Sequence, residues 1–280
     1  VPRLLLLLLL LLAVATLVSL RTARRDRPSA HSWLPKGWPD ALHQLTLFAV
    51  ADLCYETVRG ISEGSTALAF DNARSIASLE QDMGLFFEQD LQAWVIGQRV
   101  LVDLANFMYV NSHFVISACA LVWIYLRHNR QFYFVRNMFM VAMGLALIGY
   151  LAVPTAPPRF LPELGFIDTI AYYADVRHDS AFVALFFNPY AAVPSMHVAF
   201  ALMLAVPAML VVRRRSVKLL WALYPPLVTA VVIATGNHWW LDAAAGALVA
   251  GLAALVAHVV FSRLRPAAWA WQPREARAAA

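Results

Sequence analysis

Three polar islands in an apolar chain hold residue types from which a reactive site is built: Pro154-Thr-Ala-Pro-Pro-Arg159, Pro194-Ser-Met-His197 and Gly236-Asn-His-Trp-Trp-Leu-Asp242. With a helix beginning at about His238, His238 and Asp242 stand four residues apart on one face. A carboxylate there accepts the proton of one imidazole nitrogen, fixes the tautomer and leaves the other nitrogen free to attack. Val193 is biased to extended backbone by Pro194, and proline favours the first helical position, so a helix is expected to start at Pro194. The N–H groups of Ser195, Met196 and His197 would then face outward as an anion site, with the Ser195 hydroxyl as a further donor. His197, one turn in, is placed to touch the bound anion. Pro154, Pro157 and Pro158 stiffen the first island and present Arg159, whose planar fork suits phosphate oxygens. These are the parts of phosphoester cleavage through a phosphohistidine. His238 attacks phosphorus with Asp242 behind it, His197 protonates the leaving oxygen, and Arg159 and the helix end hold the equatorial oxygens.

The elements that must position these islands are hydrophobic helices. The chain has 280 residues, 61% hydrophobic and 14% charged, against roughly 25% charged in soluble domains. A bilayer core needs about 20 apolar residues per helix, and runs at 41–58, 107–126, 137–153, 194–212, 217–235 and 239–262 supply six candidates. The fold class expected is therefore all-α, a polytopic membrane bundle. Residues 4–20 are Leu-rich and followed by Arg21, Arg24, Arg25 and Arg27, which reads as an uncleaved anchor in preference to a signal peptide cut near Ala13-Val14-Ala15. The expected division is an anchor and basic linker at 1–40, a membrane domain at 41–265 and a tail at 266–280.

Residues 64–91 are amphipathic and acidic and read as an interfacial helix. The stretch 92–106 is too polar, with Gln98, Arg99 and Asp103, to read as a span. Asp52, Glu56, Glu80 and Glu88 read as solvated or ion-paired, Trp239 and Trp240 as interface anchors, and His113 as structural. Cys54 and Cys119 lie in apolar runs and point to neither a disulfide nor a metal pair. The net charge of +5 concerns membrane orientation and not a nucleic-acid partner. With residues 21–40 cytoplasmic, the six spans put the basic clusters at 127–136, 213–218 and 263–265 on that same side. All three islands then fall on the extracytoplasmic face of the cytoplasmic membrane.

Pro194-Ser-Met-His197 and the later Gly-Asn-His238-x-x-x-Asp242 resemble the second and third motifs of the type-2 phosphatidic acid phosphatase superfamily. Pro-Thr-Ala-Pro-Pro-Arg159 resembles the first motif as it stands in the inositol phosphorylceramide synthase (inositolphosphotransferase) branch. The resemblance covers roughly residues 60–262. It implies a six-helix membrane core, a metal-independent mechanism without cofactor, His238 as nucleophile and His197 as acid. Where the phosphatases of the superfamily carry a Lys seven residues before the first-motif Arg and an Arg six before the third-motif His, this chain has Ala152 and Val232. That favours the lipid phosphotransferase-like branch. The partners expected are a membrane-borne phospholipid or polyprenyl-phosphate-type lipid, with water or an alcohol as acceptor. Two other readings stand beside this one: a metal-dependent hydrolase with His113, His197, His238 and Asp242 as ligands, and a non-enzymatic lipid transporter or scaffold.

Overall fold

The computed structural model describes residues 34–61, 66–173 and 190–264. The expected anchor at 4–20, the linker up to 33, the loop stretch 174–189 and the tail lie outside the described residues. The described chain is helical apart from its connections, with one isolated bridge between Thr155 and Ala191. In order the helices are α1 (Gly37–Ile61), α2 (Thr66–Asp82), α3 (Glu88–Ile96), α4 (Arg99–Phe107), α5 (His113–Arg127), α6 (Asn129–Ala152), the short α7 (Thr169–Tyr173), α8 (Met196–Val211), α9 (Arg215–Ala234) and α10 (Trp240–Val256).

The all-α bundle is as expected, with differences in detail. Among the described residues, four runs are long and apolar enough to cross a membrane: Arg99–Arg127, Asn129–Ala152, Arg215–Ala234 and Trp240–Leu264. Helix α8 is apolar but only 16 residues long. Helix α1 has 25 residues, and its Asp40, Gln44, Asp52 and Glu56 leave it outside that set. The stretch 92–106 is not a polar gap. Its second half is α4, which runs into α5 through a single π turn at Met108–Ser112, giving 29 continuous helical residues. Arg99 and Asp103 pair at i,i+4 across 2.8 Å, so the charges that argue against a span sit on its exposed first turn. Val102, Ala105 and Asn106 point inward.

The amphipathic segment 64–91 is likewise two helices, parted at Gly84, whose φ of +68° suits glycine. The inner stripe of α2 is Ala69, Ala73, Ala77 and Glu80, while Leu68, Leu79 and Met83 are exposed. Small residues also line the centre of the bundle, where Ala142 and Ala146 of α6, Ala199 of α8 and Ala253 of α10 share one buried cluster. In such bundles close backbone approach is what holds helices together.

Helices α6 and α9 end, and α8 and α10 begin, at the islands. Arg127, Arg130, Arg213–Arg215, Lys218 and Arg263 therefore lie toward the opposite end of the bundle. A buried polar network ties α1 in at that end. Asp40 accepts hydrogen bonds from Tyr125 (3.0 Å), Tyr133 (2.7 Å) and Gln44 (2.8 Å), and Arg136 donates to Gln44 and Asn137. At the island end, the hydroxyls of Tyr55 on α1 and Tyr150 on α6 meet at 3.0 Å, and Tyr150 reaches the Pro194 carbonyl.

Candidate active site

Backbone hydrogen bonds knit the three islands to one another. The Arg159 N–H donates to the Gly236 carbonyl (2.9 Å), and the Ser195 N–H to the Asp242 carbonyl (3.0 Å). The Thr155 N–H donates to the Tyr190 carbonyl (2.8 Å), and the Trp239 indole to the Ala156 carbonyl (3.2 Å). Irregular backbone inside an apolar frame must find polar partners; here the third island exchanges them with both of the others, and the first also reaches Tyr190 ahead of the second. Two glycines make the approach feasible. Gly236 has φ +68°, and a Cβ on it would stand 3.3 Å from that of Arg159. A Cβ on Gly246 of α10 would collide with the Ser195 carbonyl.

The third island reaches its expected pairing by another route. Helix α10 begins at Trp240, so His238 precedes it. Asp242, in the first turn, reaches back. Its Oδ2 accepts the Trp239 N–H at 2.9 Å and lies 3.3 Å from His238 Nδ1. The pair is thus a helix-capping interaction extended to an imidazole, not two residues on one helical face. Asp242 is fully buried and His238 is 5% exposed.

In the second island the helix begins at Met196, two residues later than expected, with Ser195 as its N-cap after a cis Val193–Pro194 bond. The Ser195 N–H does not face outward, since it is given to Asp242. Ser195 Oγ is buried, with no hydrogen-bond partner among the described residues. Met196 is buried as well. His197 stacks on Tyr109 at 4.7 Å between ring centroids, and its ring lies 5.7 Å from that of His238. With near-attack distances of about 3–3.5 Å from each ring, both imidazoles can address one phosphorus centre.

Arg159 is 5% exposed, lies over the Phe160 ring and has Nε 3.6 Å from Asp168 Oδ2. Burial pulls its guanidinium below the ordinary value, while Tyr109 and Asp168 act the other way. Tyr109 thus touches the electrostatics of Arg159 and the ring of His197 alike. The two positions at which the resemblance would lead one to look for further cations contribute none here. Ala152 is exposed at the end of α6. Val232 is buried, and its carbonyl accepts the Asn237 and His238 N–H groups.

Several residues depart from the sequence expectation. Glu80 and Glu88 are not solvated and form no ion pair with a cation among the described residues: both are fully buried, and they accept the Leu241 and Trp240 N–H groups at 3.1 and 3.0 Å. Trp239 is no interface anchor. It is fully buried against Phe86 and Phe166, and Trp240 is half-buried on α10. His113, expected to be structural, is not at odds with that reading: its Nδ1 is held by the Tyr224 hydroxyl at 2.9 Å, while its ring lies 5.1 Å from that of His197. The π turn just before His113 delivers it there, and a π turn leaves no mark in hydrophobic periodicity. Glu80 does carry a signal, because it continues the alanine stripe of α2 at helical spacing. Among the described residues no group of three His, Cys, Asp or Glu side chains is arranged to hold a metal ion.

No curated protein and no solved structure matches the chain. A family model described as the PAP2 superfamily matches residues 74–256, from within α2 to the last residue of α10 and across all three islands. With its helical membrane bundle and its joined islands, the chain belongs to the PAP2 superfamily, a membership that implies phosphatase-type chemistry on lipid phosphoesters.

Proposed function

We propose that this multi-pass membrane protein cleaves a lipid phosphoester through a covalent phosphohistidine on His238. The observation that carries the reading is the buried His238–Asp242 couple with the His197 ring 5.7 Å away. The lone pair of His238 Nε2 forms the N–P bond as the P–O bond to the leaving group breaks. His197 gives its proton to the departing oxygen, while Asp242 supports the imidazolium through Nδ1. Water or an alcohol then attacks phosphorus, loses its proton to His197 and releases His238. Arg159 and the start of α8 at Ser195 and Met196 hold the non-bridging oxygens. The substrate class is a phospholipid or polyprenyl-phosphate-type lipid. The neutral residues at 152 and 232 support the inositolphosphotransferase-like branch, in which an alcohol replaces water. The basic helix ends opposite the islands support a site on the extracytoplasmic face of the cytoplasmic membrane.

Trapping the intermediate tests this. Purified protein given a lipid labelled at phosphorus and quenched in base, where phosphohistidine survives, should carry label that His238→Ala abolishes and exhaustive chelation leaves unchanged. Turnover without label, lost on chelation, would establish the metal-dependent reading instead. Mass spectrometry of products with and without a polyol separates transfer from hydrolysis.

A further inference from the structure

The first turn of α10 is held by three carboxyl groups. Asp242 takes the Trp239 N–H, Glu88 the Trp240 N–H and Glu80 the Leu241 N–H. Asp242 belongs to the reading above. The two glutamates come from α2 and α3, are fully buried and form no ion pair with a cation among the described residues. Their protonation can be read from their partners. Glu88 accepts with both oxygens, the Phe87 N–H on Oε2 at 2.9 Å and the Trp240 N–H on Oε1 at 3.0 Å, the pattern that suits an ionised carboxylate, whose remaining lone pairs can still take a further hydrogen bond. Glu80 accepts with Oε1 alone, and its buried Oε2 meets no donor among the described residues. A carboxylate buried in this way is costly; a carboxylic acid whose Oε2–H turns to a neighbouring carboxylate is not.

We propose that Glu80 and Glu88 are positioning residues that share a single proton, Glu80 holding it and Glu88 the charge, and that this pair fixes the start of α10 so that Asp242 and His238 keep their alignment. Burial, and next to it the hydrogen bond and charge of Glu88, raise the Glu80 carboxyl to about 9, in the same sense as the geometry. One negative charge rather than two lies behind the helix start, where it complements the exposed N–H groups and the positive end of the helix. The charge also supports the imidazolium that develops on His238, a role that rests on the function proposed above.

Infrared spectroscopy of the purified full chain in an ester-free detergent tests the proton assignment without reference to turnover. At neutral pH the carboxylic-acid carbonyl band, identified by its shift in deuterated water, should lose intensity in Glu80→Gln and keep it in Glu88→Gln. Equal loss in both variants, or no loss in Glu80→Gln, would overturn the assignment. The positioning role is read from kinetics on a lipid phosphate. The amide introduced by Glu80→Gln reproduces the hydrogen bonds of a protonated glutamate, whereas Glu88→Gln removes a charge and turns an amide N–H toward a backbone N–H. Glu88→Gln should therefore lower kcat about ten- to a hundredfold more than Glu80→Gln, the range of a hydrogen bond to a charged group, with KM altered little in either. Equal kcat effects, or losses confined to KM, would refute the role even where the infrared result stands. A wild type without turnover would instead count against the proposed function, leaving the infrared result to decide the pair.

Discussion

Gly246→Ala isolates the geometric demand of the site from its chemistry, because residue 246 carries no functional group. A Cβ there would press on the Ser195 carbonyl oxygen, with the carbonyl carbon at 3.1 Å and Ser195 Cβ at 3.4 Å. The clash falls on backbone, so no side chain can rotate away. Non-bonded atoms settle at about 3.5–4.0 Å, and Ser195 must retreat on the order of 1 Å to reach that range. Ser195 is the N-cap of α8 and donates to the Asp242 carbonyl. The shift therefore separates the helix start that bears His197 from the one that holds Asp242 and His238. Overpacking of this kind costs about 1–3 kcal/mol of stability, whereas a displacement of about 1 Å between reacting groups costs on the order of 10²-fold in rate. The assay is kcat on a lipid phosphate beside thermal unfolding in detergent. Gly251→Ala, further along α10 with no atom within 4 Å of the added Cβ, serves as control and should keep full activity. Wild-type kcat in Gly246→Ala would refute the claim that α8 and α10 must meet at this distance.

Three further outcomes are expected. Asp242→Asn keeps an oxygen for the Trp239 N–H but removes the charge behind His238, so kcat should fall about 10²–10⁴-fold, as measured by phosphate release, with folding retained by circular dichroism. Asp40→Leu leaves Gln44 and two tyrosines without their buried acceptor and removes the negative charge near Arg136, which should cost about 3–5 kcal/mol; the folded fraction should still turn over at the wild-type rate, because the network lies at the far end of α1 and α6. The pH response follows from Glu80, which is faced by Glu88 and Asp242. Its folded value of about 9 lies above the unfolded value of about 4.3, so the native state binds a proton that the unfolded state has released. Stability should then decline as pH rises between these values, by at most about 1.4 kcal/mol per unit. Thermal unfolding from pH 5 to 8.5 should show that slope in the wild type and a shallower one in Glu80→Gln; identical slopes would refute it.

Four of the six expected spans and all three islands are legible in the sequence because each has a strong mark. Runs of 17 residues and more without a charge have few fates besides a membrane helix, and proline, glycine and paired His–Asp spacing stand out against them. The boundaries are less so. Arg99 and Asp103 read as breaks, yet they neutralise each other on an exposed turn of a helix that continues inward. His238 and Asp242 emerge from a spacing argument whose premise, a helix through both, does not hold; the capping geometry of Asp242 brings them together instead. Glu88 is illegible for a different reason. Nothing local tells a solvated glutamate from one that caps a helix 152 positions further along the chain, since only the tertiary fold brings Trp240 to it.

Satisfaction of polar groups separates the two polar ends of this bundle and says which is structural. In the Asp40 network every acceptor oxygen of Asp40, Gln44 and Asn137 is met by a donor. At the island end Ser195 Oγ, Asn237 Oδ1, Asp242 Oδ1, Glu80 Oε2 and His113 Nε2 are buried without a hydrogen-bond partner among the described residues. Native interiors rarely leave such atoms unpaired, because each costs about 1–3 kcal/mol. A cluster of them at one depth stores interactions that a phosphate, a hydroxyl or a shared proton can complete. The Glu80–Glu88 proton completes one of them within the protein itself. The rest belong to residues of the second and third islands and to His113, and that concentration, more than the presence of histidine in a membrane helix, supports the proposal that the reaction takes place at this end.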